Sequence, residues 1–147
     1  MANDFRGSAV VGRSPEEVFD FLADGTNDRK FSPRVQEIEK VTDGPVGAGT
    51  VYRSTVKDAG MKTKREFEIT EFERPLRIRW TERSKNTITV PAGGYDLEPA
   101  GAGTQLTVFN EFEGHGLGKL FMPLALRAAR KDADDFADRI KRAVESS

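Results

Sequence analysis

The amino-acid sequence predicts an α+β fold, in which a curved antiparallel sheet of about seven strands packs against a long C-terminal helix. Three observations predict it. Short helical segments follow a first strand, beginning near Ser14. Residues 35–113 then alternate between apolar and polar side chains, which is typical of strands with one buried and one solvated face. Residues 119–144 carry apolar side chains at intervals of three and four, which indicates an amphipathic helix.

The first strand and two short helices are expected within residues 5–31. The strand is indicated by apolar or small residues that alternate with polar ones, namely Phe5, Gly7, Ala9 and Val11. Ser14 is suited to cap the first helix, because its side chain can accept a hydrogen bond from a backbone N–H of the first turn, and Pro15 fits the first helical position. Gly25 ends this helix, and residues 27–31 are expected to form a second helical turn.

Six further strands are expected between turn segments, at residues 35–41, 50–56, 62–72, 76–81, 86–97 and 104–113. The segments between them contain the Gly, Pro and Asp residues that turns favour, as at residues 58–60 and 73–75. Pro91 and the Gly93-Gly94 pair predict a bulge or a bend in the fifth of these six strands. The element order is therefore β-α-α, six strands, and a final helix.

The final helix is expected to bury one apolar stripe, formed by Phe121, Leu124, Ala125, Ala128, Phe136, Ile140 and Val144. Pro123 is tolerated only in the first turn of a helix, because its ring removes an N–H and clashes with the preceding turn. We therefore expect the regular helix to begin nearer Leu120 or Met122.

The composition excludes several classes of chemistry. The 147 residues contain no Cys and one His, which excludes thiolate nucleophiles, disulfides and Cys-ligated metal sites and leaves no His pair for a metal ion. Lys and Arg number 23 against 24 Asp and Glu, so the net charge of −1 provides no field that would attract nucleic acid. We expect no cofactor, no metal and no nucleic-acid partner, and any chemistry to use hydroxyls, carboxylates, amides, Arg or Lys.

Targeting signals and membrane spans are not expected in this sequence. Asp4 and Arg6 interrupt the N-terminal segment, and the longest uncharged stretch, residues 99–110, is well below the roughly 18 apolar residues of a membrane span. Because the chain also lacks Cys, we expect a cytoplasmic protein without integral membrane association. The sequence does not distinguish a monomer from a homodimer.

Several segments follow one another in an order that a known family shares: SPEEVFDF at 14–21, GAGTVYR at 47–53, ITEFERP at 69–75, YDLEP at 95–99 and Gly103-Thr104. Together they resemble the START-related SRPBCC superfamily, in its polyketide cyclase/dehydrase branch, with the pollen-allergen-like helix-grip fold. The resemblance implies one helix-grip domain over residues 1–147 and a cavity between the sheet and the C-terminal helix. The superfamily includes aromatic cyclases, lipid and quinone carriers and hormone receptors, so the fold does not name the reaction. Relatives commonly carry Trp just before the Pro of the short-helix segment, where this chain has Phe31-Ser32-Pro33.

The alternation along each strand selects the side chains that face the helix, because residues two positions apart share a face. Together with the helix stripe it gives the expected ligand-cavity residues: Tyr52, Ser54, Arg65, Phe67, Ile69, Ile78, Trp80, Tyr95, Leu97, Leu106, Val108, Asn110, Phe121, Leu124 and Ala128. An apolar wall with a few polar groups is typical of a small-molecule pocket.

The polar members of this set also allow structural interpretations. Tyr52, Ser54, Tyr95 and Asn110 either bind a ligand or satisfy one another. Arg65 pairs with an acid such as Glu111, binds an anionic or carbonyl-bearing ligand, or extends into solvent near the strand end.

His115 lies between two glycines in a loop at the expected cavity entrance. It is either a gate or acid–base residue or an exposed loop histidine without a functional role. No neighbouring Ser or Asp spacing supports a catalytic triad, and the glycine-rich loop lacks the βαβ context of a dinucleotide site. The catalytic residues, if any, stay unassigned.

Three functions are compatible with the sequence. The first is binding or transport of a hydrophobic small molecule, such as a lipid, an isoprenoid or an aromatic polyketide, in an internal cavity. The second is a polyketide cyclase/dehydrase-type enzyme acting in that cavity, and the third is an interaction module. The sequence favours binding, because hydroxyls, one amide and one Arg are better suited to holding a ligand than to attacking one.

Overall fold

The computed structural model describes residues 3–58 and 60–147. Its elements are β1 (Asp4–Val11), α1 (Pro15–Ala23), a 3-10 helix (Gly25–Lys30), β2 (Val35–Lys40), β3 (Val51–Asp58), β4 (Met61–Glu73), β5 (Arg77–Glu82), β6 (Ile88–Ala100), β7 (Gly103–Gly114) and α2 (Gly118–Glu145). The predicted order of elements is confirmed, with differences of a few residues at the ends. The turn expected at residues 58–60 includes Ala59, which lies outside the described residues.

The start of α1 is the capped terminus that the sequence predicts. Glu17 N donates to Ser14 Oγ over 3.2 Å, and the Glu17 carboxylate accepts from Ser14 N over 3.4 Å, which completes a capping box. Phe19, on the buried face of α1, packs edge-on against Phe72 of β4 with ring centroids 5.0 Å apart. The helix therefore covers the inner face of the sheet at β4.

The seven strands form one antiparallel sheet in the order β1-β7-β6-β5-β4-β3-β2. The register of β6 shifts between Thr89 and Ala92, on either side of Pro91, as the sequence predicts. A second shift lies in β4 between Ile69 and Glu71. Because such bulges bend a strand and increase its twist, they help the sheet to curve around α2.

The long helix α2 lies on the concave face of the sheet, against β1 and β7. A Cβ on Gly7 would lie 2.1 Å from the backbone oxygen of Ala133, so only glycine permits this approach of strand and helix. Near the C-terminal end of the helix, Gly12 N donates to Glu145 Oε2 over 2.7 Å. These contacts hold α2 along the edge strand and leave β3 to β5 facing the space beside the helix.

The buried residues of α2 form one stripe: Gly118, Met122, Leu126, Ala133, Ala137, Ile140 and Val144. The helix begins at Gly118, so the expectation of a start nearer Leu120 or Met122 is wrong. Pro123 lies in the second turn and is exposed, so water can reach the carbonyl that the missing N–H of residue 123 leaves without a partner.

Candidate functional site

The strand residues predicted to face inward lie on one face of the sheet. In antiparallel strands, residues directly opposite one another share a face. The pairs that do so are Tyr52 and Phe67, Ser54 and Arg65, Ile69 and Trp80, Ile78 and Tyr95, Tyr95 and Val108, and Leu97 and Leu106, with Asn110 opposite Gly93. Gly7, opposite Val108, contacts α2, so this is the concave face.

Trp80, Asn110 and Tyr95 form a connected group near the centre of the concave face. Trp80 Nε1 donates to Asn110 Oδ1 over 2.9 Å. The rings of Trp80 and Tyr95 meet edge to face, with centroids 4.9 Å apart. Because the Asn110 oxygen is occupied by Trp80, its Nδ2 group is left as a donor, and it has no acceptor among the described residues.

The hydroxyls of Tyr95 and Ser54 also have no hydrogen-bond partner within the described part of the chain. Both residues are buried, yet neither hydroxyl oxygen is sealed from water-sized probes. Burial, followed by the charge of Asp28, raises the pKa of Tyr95 well above its ordinary value. Tyr95 therefore stays a protonated hydrogen-bond donor in this space.

Arg65 is fixed by an acid that the sequence analysis did not single out. Its Nη1 donates to both oxygens of Glu82, over 3.0 and 3.2 Å, and the Glu82 side chain is completely buried. Glu82 also accepts from Ser84 Oγ at 2.6 Å, Asn86 Nδ2 at 2.8 Å and Val90 N at 2.9 Å. The expected pairing of Arg65 with an acid is confirmed, but the acid is Glu82 rather than Glu111, and the alternative of extension into solvent is wrong. Nε and Nη2 of Arg65 make no hydrogen bond to any described residue.

Asp28, in the 3-10 helix, is a partly buried acid whose charge acts on Tyr95 and Tyr52. Burial, together with the charge of Asp24, raises the pKa of Asp28 to about 7. None of the described residues donates a hydrogen bond to its carboxylate. Asp28 also contributes to the raised pKa values of Tyr95 and Tyr52, which shows that the three groups are close enough to interact. In the sequence Asp28 stands within the polar run TNDRK, where no periodicity marks it as inward-facing.

A family profile described as "Polyketide cyclase / dehydrase and lipid transport" matches residues 3–145. The chain belongs to this family. The resemblance inferred from the sequence is thereby confirmed. No curated protein sequence matches the chain significantly.

Solved structures similar to this polyketide cyclase/dehydrase family member share its fold over nearly the whole chain. TTHA0849 from Thermus thermophilus is 19% identical, with a TM-score of 0.80 and 97% of each chain covered. A START superfamily protein from Mycobacterium smegmatis is 15% identical, with a TM-score of 0.79 and the same coverage. The Zhui aromatase/cyclase from Streptomyces sp. R1128 is 17% identical, with a TM-score of 0.76, covering 97% of this chain and 93% of its own. The similarity shows the helix-grip fold.

The N-terminal half of α2 in this family member does not present the predicted face to the interior. Phe121, Leu124 and Ala128 are exposed, whereas Met122 and Leu126 are buried. Each residue advances about 100° around a helix, so a stripe drawn through positions 121, 124 and 128 turns away from the face that the C-terminal half buries. The segment is apolar nearly all round, so spacing alone did not identify its buried side. These three residues are removed from the candidate site.

Tyr52 and His115 have partners of their own. The buried Tyr52 hydroxyl donates to the backbone oxygen of Ala23 over 3.4 Å, which ties β3 to the end of α1. His115 is about half exposed, and its Nε2 lies 2.9 Å from Thr89 Oγ1 and 3.4 Å from Glu113 Oε1. The side chain is therefore held along the β6–β7 hairpin, and a role for His115 at the entrance stays a prediction.

Two surface depressions lie away from the concave-face residues. One, of about 620 Å³, is lined by Asn3 and by side chains of α2 that include Lys119, Arg127 and Arg130. The other, of about 350 Å³, lies along β2, β3 and β4. Within residues 3–58 and 60–147, no three acidic or His side chains cluster as a metal site requires, and no helix is both long and apolar enough to cross a membrane.

Replacing Gly93 with alanine is expected to break the hydrogen bond between Trp80 and Asn110. A Cβ at Gly93 would lie 2.1 Å from Asn110 Oδ1 and 2.4 Å from Trp80 Nε1, so one of the two side chains must move. We expect a loss of about 1–3 kcal/mol in the free energy of unfolding, measured by urea denaturation, and a shift in fluorescence emission, since Trp80 is the only Trp. Gly47→Ala is the matched control, because its added Cβ meets open space. Equal effects of the two substitutions would contradict the prediction.

Proposed function

We propose that this protein binds and transports a hydrophobic small molecule in the space between the concave face of the sheet and α2. One observation carries the proposal: the concave face holds polar groups without protein partners among the described residues, namely Tyr95 Oη, Ser54 Oγ, Asn110 Nδ2 and Arg65 Nη2. The Asp28 carboxyl of the 3-10 helix also has no partner among them, and its charge acts on Tyr95. Each of these atoms can be reached by a water-sized probe, so each is open to a hydrogen bond with a bound molecule. We infer that these groups bind the polar atoms of a ligand.

The chemistry of these groups indicates the kind of ligand. Four of the five are hydrogen-bond donors, so they favour carbonyl, hydroxyl or carboxylate oxygens on the ligand. The surrounding side chains, such as Phe67, Ile69 and Leu106, favour an apolar body, whose burial contributes roughly 25 cal/mol per Å². A lipid, an isoprenoid or an aromatic polyketide with one or more oxygen substituents meets both requirements.

Tyr95→Phe is expected to weaken binding without lowering stability. The substitution removes a hydroxyl that has no described protein partner, so the melting temperature should stay near that of the wild type. Loss of one hydrogen bond to a ligand corresponds to roughly 0.5–1.5 kcal/mol, a decrease in affinity of about two- to tenfold. The measurement is the quenching of Trp80 emission by the fluorescent probe ANS, whose sulfonate accepts hydrogen bonds and whose rings are apolar.

Tyr52→Phe is the matched control for that experiment. Its hydroxyl already donates to Ala23, so we expect this substitution to lower the melting temperature and to leave the ANS affinity unchanged. Equal ANS affinity of the wild type and Tyr95→Phe would exclude the proposed ligand contact. Native mass spectrometry of the protein isolated from its own host should show a co-purifying molecule, and fractionation of that host tests the cytoplasm as the proposed compartment.

A second candidate function is polyketide cyclase/dehydrase-type catalysis in the same space, and the pKa of Asp28 favours it. A carboxyl group that titrates near pH 7 can act as both a base and an acid under cellular conditions. We propose that the Asp28 carboxylate removes a proton from a carbon between two carbonyls, while Tyr95 and Asn110 donate hydrogen bonds to the enolate oxygen. Asp28→Asn should then abolish cyclisation of a poly-β-ketone by a co-expressed synthase and retain ANS binding. Unchanged cyclisation in this variant would exclude Asp28 as the base.

A further inference from the structure

The first two turns of α2 carry an apolar surface that the candidate ligand site does not use. It is formed by Leu117, Leu120, Phe121 and Leu124, which expose 66%, 72%, 56% and 66% of their surface, and we call it the outer apolar stripe. Spacings of three, one and three residues place these side chains on one side of the helix. Met122 and Leu126 occupy the opposite side and are buried, so the stripe faces away from the sheet. Four large apolar side chains exposed together indicate a contact surface.

The charged side chains within the segment that carries the outer apolar stripe are all positive, and the first acids of α2 follow at Asp132, Asp134 and Asp135. Residues 114–131 contain Lys119, Arg127, Arg130 and Lys131 and no Asp or Glu, although the whole chain has a net charge of −1. Arg130 forms an ion pair with Asp4. The side chains of Lys119, Arg127 and Lys131 are exposed and form no ion pair with any described residue.

The positions of these cations relate them to the stripe. At about 100° per residue, Arg127 and Lys131 lie on the same outward side of α2 as Leu120 and Leu124. Lys119 falls on the side of Met122 and Leu126, where it lines the depression of about 620 Å³, so it does not border the stripe. A polar anionic group can contact Arg127 and Lys131 while an apolar layer contacts the stripe.

We propose that the outer apolar stripe and its flanking cations dock this protein reversibly on the surface of an anionic lipid bilayer, with the N-terminal half of α2 parallel to the membrane. An interfacial helix has this combination of a narrow apolar face and basic residues at its border. The apolar side chains enter the region between head groups and acyl chains, and the cations contact lipid phosphates. The outer apolar stripe lies on a different surface from the ligand site, and its contact with a membrane does not depend on the identity of the ligand.

A second copy of the chain fits this surface less well than a lipid bilayer. Two copies that meet through their stripes would bring Arg127 and Lys131 of each close to those of the other, and the segment that carries the stripes, residues 114–131, contains no acid. Four side chains on two helical turns also form a surface smaller than the roughly 800 Å² per partner of a stable protein interface. Shallow insertion into a bilayer needs no such area.

The test measures co-sedimentation of the full chain with vesicles of phosphatidylcholine alone and of phosphatidylcholine mixed with phosphatidylglycerol. We expect binding at least about tenfold tighter to the anionic vesicles, decreasing as salt is added. The double variant Leu120→Gln, Leu124→Gln should lose at least about tenfold in affinity, because it removes apolar side chains that would enter the bilayer. The double variant Arg127→Gln, Lys131→Gln should lose at least about tenfold in affinity, because it removes two contacts with anionic lipid.

Matched control variants carry the same substitutions elsewhere on the surface. Leu76→Gln replaces an exposed leucine, and the double variant Lys62→Gln, Lys85→Gln removes two exposed cations. Both should bind anionic vesicles like the wild type, with unchanged Trp80 emission in every variant as evidence of folding. Equal binding to both vesicle types, no binding to either, or equal losses in the control variants would overturn the proposal. So would a dimer, measured by light scattering, that the Leu120→Gln, Leu124→Gln variant converts to monomer.

Discussion

Glu82→Ala is expected to lower the free energy of unfolding by about 3–5 kcal/mol, because it leaves the charge of Arg65 without its partner in a largely buried position. The Glu82 carboxylate accepts hydrogen bonds from Arg65, Ser84, Asn86 and the Val90 amide, so its removal leaves several donors unsatisfied at once. Urea denaturation of the purified variant measures the loss. Because Arg65 is then free to move, the variant should also bind ANS more weakly than the wild type.

Two further variants separate the charge of Glu82 from its shape. Glu82→Gln keeps the shape but places an amide N–H₂ among groups that are all donors, so we expect a loss between those of the wild type and Glu82→Ala. Glu71→Ala is the exposed control: its carboxylate lies 3.6 Å from Arg77 at the surface, and its removal should cost at most about 1 kcal/mol. A Glu82→Ala variant as stable as Glu71→Ala would show that the buried ion pair does not hold Arg65 in place.

The fold of this protein was predictable because local signals agree with the global arrangement. Ser14 and Pro15 mark the start of α1, because a capping side chain and a residue without an N–H are favoured only at a helix N-terminus. The structure has a capping box at Ser14. The alternation in the strands selects one buried face, and a register slip of one residue would reverse it, so parity correctly placed Tyr95 and Asn110 on the concave face.

The failures of the sequence analysis have physical causes of two kinds. In α2 the segment around Leu120 and Phe121 carries apolar side chains both on the side that packs on the sheet and on the exposed side. Its periodicity is therefore ambiguous. Asp28 and Glu82 are acids, and neither composition nor spacing distinguishes a buried acid from a solvated one. Only the register that places Glu82 opposite Phe67 shows that its carboxyl group is enclosed, and only the fold shows that Asp28 in the 3-10 helix is partly buried.

The carboxyl groups of Glu82 and Asp28 are accommodated in the fold in different ways. Glu82 and Arg65 neutralise each other and are tied to the strands, so this pair holds a fixed donor toward the space beside α2. No cation among the described residues pairs with Asp28, and burial raises its pKa to about 7. One buried carboxyl group is thus structural and permanently paired, while the other is available to exchange a proton.

Asp28→Asn is expected to stabilise the protein above neutral pH and to remove a pH dependence of the wild type. Asp28 ionises near 3.8 in the unfolded chain and near 7 in the folded one. Between these values the folded state binds the extra proton, so the stability of the wild type falls as pH rises from about 4 to about 7, and the full penalty applies above that range. At about 1.4 kcal/mol per pKa unit, the asparagine variant should be more stable by about 2–4 kcal/mol at roughly pH 8, and by little near pH 4. Urea denaturation across this range measures the difference, and Asp43→Asn, in an exposed turn, is the control that should leave the profile unchanged. If the stability of the wild type and of Asp28→Asn changed with pH in parallel, the Asp28 carboxyl would be hydrated like a surface group. That result would exclude the proposed acid–base role of Asp28.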